Sequence, residues 1–212
     1  MATTPVNPGL LLFYIIIILF AIGFGISIWR RRKLLASVAE AWKSLADQLG
    51  LNFELLRNMP KVSGKYRDHR MILDTYSVAR GAAGPRGGRS TVSYTRLIVE
   101  LNKPAKDTMV IYPGGYLARK VTRGQNIQLG DSLFDKKFVV RGSNELVVRE
   151  VLDSSIRQQL DNNRSETKHF TVEIEGSEAY YDEPKLIADS ARLRQVLDFV
   201  TELSIRFENQ VG

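Results

Sequence analysis

The side chains that could act on a substrate fall into three groups: a pair of carboxylates, two distant histidines and a loop of glycines and arginines. Asp131 and Asp135 stand four apart in Gly130-Asp131-Ser132-Leu133-Phe134-Asp135. Brought together on one helical turn, they could hold a divalent cation or serve as acid and base. Either role needs more oxygen ligands or a positioned substrate, and the sequence displays neither beside them. The same carboxylates can instead cap turns or pair with Lys136, Lys137 or Arg141, while Phe134 and Phe138, also four apart, plug a core before a strand begins. The structural reading is the stronger, so Asp131 and Asp135 stand as a possible ligand site and no metal is expected.

The histidines, His69 and His169, lie in separate strand contexts and outside any metal spacing such as His-Glu-x-x-His. Each is expected at the surface or half-buried, since a ligand or general base needs a converging partner. No serine occupies Gly-x-Ser-x-Gly. With no cysteine in 212 residues, disulfides and thiolate chemistry are excluded. The run Arg80-Gly81-Ala82-Ala83-Gly84-Pro85-Arg86-Gly87-Gly88-Arg89 could wrap phosphates through backbone N–H groups and guanidinium forks. It lacks Gly-x-x-x-x-Gly-Lys-Ser/Thr, and a hairpin connection is the simpler reading. Tyr66, Tyr76 and Tyr94 could stack bases on a sheet but carry no RNA-binding signature. No catalytic residue is assigned, no cofactor is expected, and nucleic acid is not an expected partner.

Elements able to position these groups follow from periodicity. Leu35, Val38, Trp42, Leu45 and Leu49 recur every three or four residues before Gly50, which predicts a helix and its stop. Lys61–Tyr66 and His69–Tyr76 flank Arg67-Asp68 as a hairpin. Thr95, Leu97, Val99 and Leu101 alternate with Arg96, Ile98 and Glu100 in a strand, and strands are expected at Thr108–Tyr112 and Phe138–Arg141. Ser143 or Asn144 caps a helix expected to run unbroken to about Leu160. Phe170, Val172 and Ile174 lead through Gly176-Ser177 into a hairpin, and a last helix from about Asp189 places Leu193, Val196, Leu197, Val200, Leu203 and Phe207 on one face. Strands joined by hairpins with a few helices predict an α+β fold: one domain with a mainly antiparallel sheet and helices packed on one face.

Ahead of this domain, Gly9 to Trp29 holds no charged side chain and is dominated by Leu, Ile and Phe. Its length as a helix matches the roughly 30 Å hydrocarbon core of a bilayer. Trp29 suits the headgroup layer, and Arg30, Arg31, Arg32 and Lys33 follow at once, where a cleaved signal peptide would place small residues instead. Basic residues beside a span are retained in the cytoplasm. The expected organisation is therefore a short extracytoplasmic N-terminus (1–8), a transmembrane helix (9–29), a basic juxtamembrane cluster (30–33) and a cytoplasmic domain (34–212), as a single-pass protein of the cell membrane.

The formal charge of +7 does not make the domain a polyelectrolyte. Residues 34–130 hold 15 basic and 7 acidic side chains, whereas 131–212 hold 11 and 16. A basic half tethered beside the bilayer suits anionic headgroups as a partner. Arg30, Arg31, Arg32, Lys33, Arg80, Arg86 and Arg89 are the lipid-surface candidates.

The run from Gly130 through Phe134-Asp135-Lys136-Lys137-Phe138-Val139-Val140 to Asn144, followed by a helix with Leu152 and Leu160, is similar to a segment of bacterial and archaeal membrane-anchored proteins of unknown function. There a Phe-Asp/Glu-x-x-Phe-x-Val strand leads to a helix, a hairpin and a C-terminal helix. The resemblance spans roughly residues 127 to 207. It implies that architecture and brings no activity. The expected function is a membrane-tethered cytoplasmic domain that binds a protein partner or self-associates, without enzymatic activity. The alternative is a membrane-anchored hydrolase or ligand-binding module using Asp131, Asp135 and the Arg80–Arg89 loop.

Overall fold

Backbone turns fix much of the topology in the computed structural model, which describes residues 8–80, 90–115 and 124–210. Helix α1 (Pro8–Leu49) ends at Gly50, whose φ of +65° allows Leu51 N–H to donate back to the Ala46 carbonyl at 2.9 Å, closing the helix end. Strand β1 (Asn52–Leu56) then turns through Arg57 and Asn58, with φ of 51° and 65°, into β2 (Met59–Tyr66). Arg67 and Asp68, at 47° and 67°, repeat the device before β3 (His69–Arg80). Two successive positive φ values give the type I′ turn, whose twist matches that of the strands it joins. The β1 hairpin is a feature the sequence reading does not contain.

The chain continues with β4 (Ser90–Glu100), β5 (Met109–Pro113), β6 (Gln125–Ile127), α2 (Ser132–Lys137) and β7 (Phe138–Gly142). Next come α3 (Glu145–Val151), α4 (Ser154–Glu166), β8 (Thr171–Glu175), β9 (Glu178–Glu183) and α5 (Ser190–Gln210). The helix expected from Asn144 to Leu160 is broken. Leu152 leaves helical geometry, and Asp153 starts α4 as a new cap by accepting from Ile156 N–H at 2.9 Å. An Asp inside a helical pattern competes for backbone donors, and here it wins.

The nine strands among the described residues join one antiparallel sheet in the order β1-β2-β3-β4-β9-β8-β5-β7-β6. A single lateral row crosses it: Phe53, Val62, Leu73, Leu97, Tyr181, Val172, Ile111, Val140 and Ile127 are successive register partners. Every member is apolar or aromatic, and all but Phe53 are buried. Since alternate residues face opposite sides of a strand, this row and its parallels define one covered face. The last turns of α1, through Val38, Trp42 and Leu45, and α5, through Leu193, Leu197, Val200 and Phe207, belong to the same core cluster. Burying each such side chain contributes about 1.5–3 kcal/mol. Trp42 also donates its indole N–H to the Ile187 carbonyl at 2.9 Å.

The structure is thus α+β with helices against one face of the sheet, as the sequence predicts. It divides into two compact units, residues 1–37 and 38–212. In the first, α1 is long and apolar enough to cross a membrane, and none of its apolar stretch is buried.

Candidate functional site

The sheet face turned away from the helices carries a polar cluster assembled by register. Asp74 on β3 lies opposite Arg96 on β4, which lies opposite Asp182 on β9, which lies opposite Thr171 on β8. Arg96 forks onto Asp74, donating Nε to Oδ1 at 2.9 Å and Nη2 to Oδ2 at 2.7 Å. Its guanidinium also stands 5.1 Å from the ring centre of Tyr76, and Tyr76 stacks on Tyr94 at 4.9 Å. Asp74 thereby raises the Arg96 pKa. Two of the three tyrosines singled out from the sequence are a stacked pair on this face.

Asp182 is the unusual member. The Tyr76 hydroxyl donates to its carboxylate and Arg96 stands nearby, both of which favour ionisation. Burial outweighs them and, with Glu173 and Asp74 adding like charge, pushes its pKa up to about 6. Burial, then the Asp182 charge, raises the Tyr76 hydroxyl as well. Asp182 Oδ1 is inaccessible to solvent and has no hydrogen-bond partner among the described residues. A carboxylate held this way disfavours the fold at neutral pH, and such groups concentrate where a protein binds or reacts.

The cost can be measured. Folded Asp182 binds its proton more tightly than the unfolded chain does, so its contribution to stability is complete below about pH 3.8 and is lost as pH rises through about 6. Asp182→Asn is expected to raise unfolding free energy at pH 7.5 by on the order of 1–3 kcal/mol and to flatten the fall between these two pH values, as read from urea unfolding. Destabilisation at pH 7.5 would instead show that the carboxylate has a stabilising partner.

Asp131 and Asp135 meet local demands. Asp131 caps α2 by accepting from Leu133 and Phe134 N–H at 3.1 and 3.2 Å, and its other oxygen takes Arg157 at 3.1 Å. Asp135 accepts from Leu129 and Gly130 N–H at 3.0 and 3.1 Å. Arg149 adds hydrogen bonds to the Gln128 and Leu129 carbonyls at 2.6 and 3.0 Å. Together these contacts tie residues 128–138 into a knot. Beside it lies an open depression of about 410 Å³, lined by Gln128, Gly130, Ser132, Asp135 and Lys136. Asp135 lines it and Asp131 does not.

His69 is more buried than the surface or half-buried position expected of it, being only 3% exposed. Its Nδ1 is 2.9 Å from the Arg67 carbonyl, which can only accept, so that nitrogen carries the proton. Nε2 faces both Glu208 at 3.2 Å and Asn102 at 3.1 Å, tying β3 to the end of α5. Under the covered face, Arg192 reaches Asn163, the Tyr181 hydroxyl and Glu183 at 2.5, 3.1 and 3.6 Å, while Tyr181 donates to Glu183 at 2.7 Å. Burial holds the Tyr181 hydroxyl well above its ordinary range. These buried groups satisfy one another, which suits a structural role.

Of the lipid-surface candidates, Arg30, Arg31, Arg32 and Lys33 are exposed, with Lys33 standing 5.3 Å from the ring centre of Trp29. Arg80 ends β3. Arg86 and Arg89 lie outside the described residues. Asp182 does not announce itself in sequence; alternation within β9 only tells that it points away from Tyr181.

No family model and no curated protein matches this chain. Among solved structures, it is similar to the crystal structure of the mycobacterial trehalose monomycolate transport factor A, TtfA, with a TM-score of 0.54 and 12% identity. The match covers 80% of this chain and 93% of the other. At that identity the likeness shows a shared fold.

Proposed function

We propose that this protein is a membrane-tethered cytoplasmic domain for binding or assembly, with residues 9–29 as its anchor, Arg30 to Lys33 as its cytoplasmic stop and the sheet face around Asp182 as its partner surface. The observation that carries this reading is that α1 buries none of its apolar stretch, with Phe20 77% exposed. Soluble proteins rarely leave so large an apolar surface uncovered, whereas a bilayer covers it at no cost. The excess of basic side chains over residues 34–130 makes anionic headgroups a second partner. The shared fold with a protein titled as a transport factor is compatible with an accessory role beside other membrane components. The alternative hydrolase draws on Asp131 and Asp135, whose oxygens already serve the α2 knot.

A photo-crosslinking residue at Tyr180, half-buried on the open face and two residues from Asp182, tests the partner surface in intact cells. A discrete protein adduct is expected from Tyr180 and not from Glu150, an exposed position on α3. Adducts from both positions alike, or from Glu150 alone, contradict this assignment of the surface.

A further inference from the structure

Strand β1 closes one end of the sheet, and no described strand pairs with its outer edge. The pair flanking the two-residue turn, Leu56 and Met59, exchanges hydrogen bonds within the hairpin, and such pairs alternate along it. Glu54 and Leu56 therefore direct their N–H and C=O groups to β2, whereas Phe53 and Leu55 direct theirs outward. The strand lacks the devices that guard edges: it has no Pro and no bulge, and its lone charge, Glu54, is opposite Lys61 inside the hairpin. Leu55 and Leu56 are 56% and 53% exposed on opposite faces of the sheet. Such an edge is a template for another strand.

We infer that this edge pairs antiparallel with β1 of a second copy, centred on Leu55. A two-fold axis normal to the sheet keeps each residue on its own face, so the strand can meet itself only with a residue opposite its equivalent at the centre. Centring on Leu55 sets two leucines together as a hydrogen-bonded pair, Glu54 against Leu56 of the second copy, and Phe53 against Arg57 of the second copy. No like charges meet. Shifting the centre by one residue to Glu54 keeps the outward backbone groups of Phe53 and Leu55 paired but places two carboxylates opposite each other, so charge selects Leu55 over Glu54. The inference rests on the assembly reading only in choosing the second copy as partner. The open face around Asp182 takes no part.

The absence of cysteine makes the test clean. In the full chain in detergent, Leu55→Cys places two Cα atoms about 5.5 Å apart across the axis, within disulfide reach. Glu54→Cys leaves its two Cα atoms about 8 Å apart, beyond it. Under mild oxidation, Leu55→Cys should give at least about tenfold more covalent dimer than Glu54→Cys. Leu55→Lys with Leu56→Lys in the cysteine-free protein should shift the sedimenting species from dimer to monomer without loss of helical circular dichroism. Equal dimer yields from the two cysteines, or a cysteine-free protein that sediments as a monomer, overturn the inference. Neither result alters the Tyr180 cross-link, so the two readings fail separately.

Discussion

Replacing Phe138 by Ala is expected to lower the free energy of unfolding by about 3–5 kcal/mol, among the largest effects for a single side chain in this domain. Phe138 is 3% exposed and stacks on Phe134 with ring centres 4.8 Å apart. It also meets Phe170 at 6.3 Å, and Phe170 in turn stacks on Tyr181 at 5.7 Å. Four rings therefore run from α2 to the centre of the sheet, and removing one leaves a cavity its rigid neighbours cannot fill. Asp135→Asn, three residues earlier, retains an acceptor for one of its two backbone donors and should cost only about 1 kcal/mol. Urea unfolding of both variants checks the contrast. A Phe138→Ala loss no larger than that of Asp135→Asn would contradict the core role. Loss of function in cells by a normally folded Asp135→Asn protein would move the carboxylate-site reading ahead of the structural one.

That aromatic chain also shows what a sequence can disclose. The spacing of Phe134 and Phe138 is local, as is the alternation of Leu97 with Arg96, and the structure places these residues as the periodicity predicts. Helix α5 buries all six of its expected apolar positions for the same reason. The row Asp74-Arg96-Asp182-Thr171 is different, because it depends on β4 pairing with β9 across about 80 intervening residues. No local pattern encodes that neighbour. Periodicity does not disclose the β1 hairpin, because Asn52–Leu56 is short and shows no alternation of buried and exposed positions. Nor does periodicity reveal the break at Leu152, since Val148, Leu152 and Ile156 keep a four-residue spacing across it. His69 reads as an ordinary strand residue until α5 brings Glu208 to it.

The second large effect concerns orientation and is close to all-or-none. Charged groups flanking a span decide which side is retained in the cytoplasm, and here four basic residues stand on one side against none in residues 1–8. Changing Arg30, Arg31, Arg32 and Lys33 together to Glu removes that asymmetry, so a substantial fraction of the chains should insert the other way. Misplaced domains would also lose the proposed contact of residues 34–130 with anionic headgroups. The membrane anchor, the partner surface and the lipid contact all assume one placement of residues 34–212. It is tested most directly by fusing, after Gly212, a reporter active only in the cytoplasm and, separately, one active only outside it. The unaltered chain should give activity from the first and none from the second, with the tetra-Glu variant shifting activity towards the second. Activity from the external reporter on the unaltered chain would contradict the cytoplasmic placement and, with it, the proposed function.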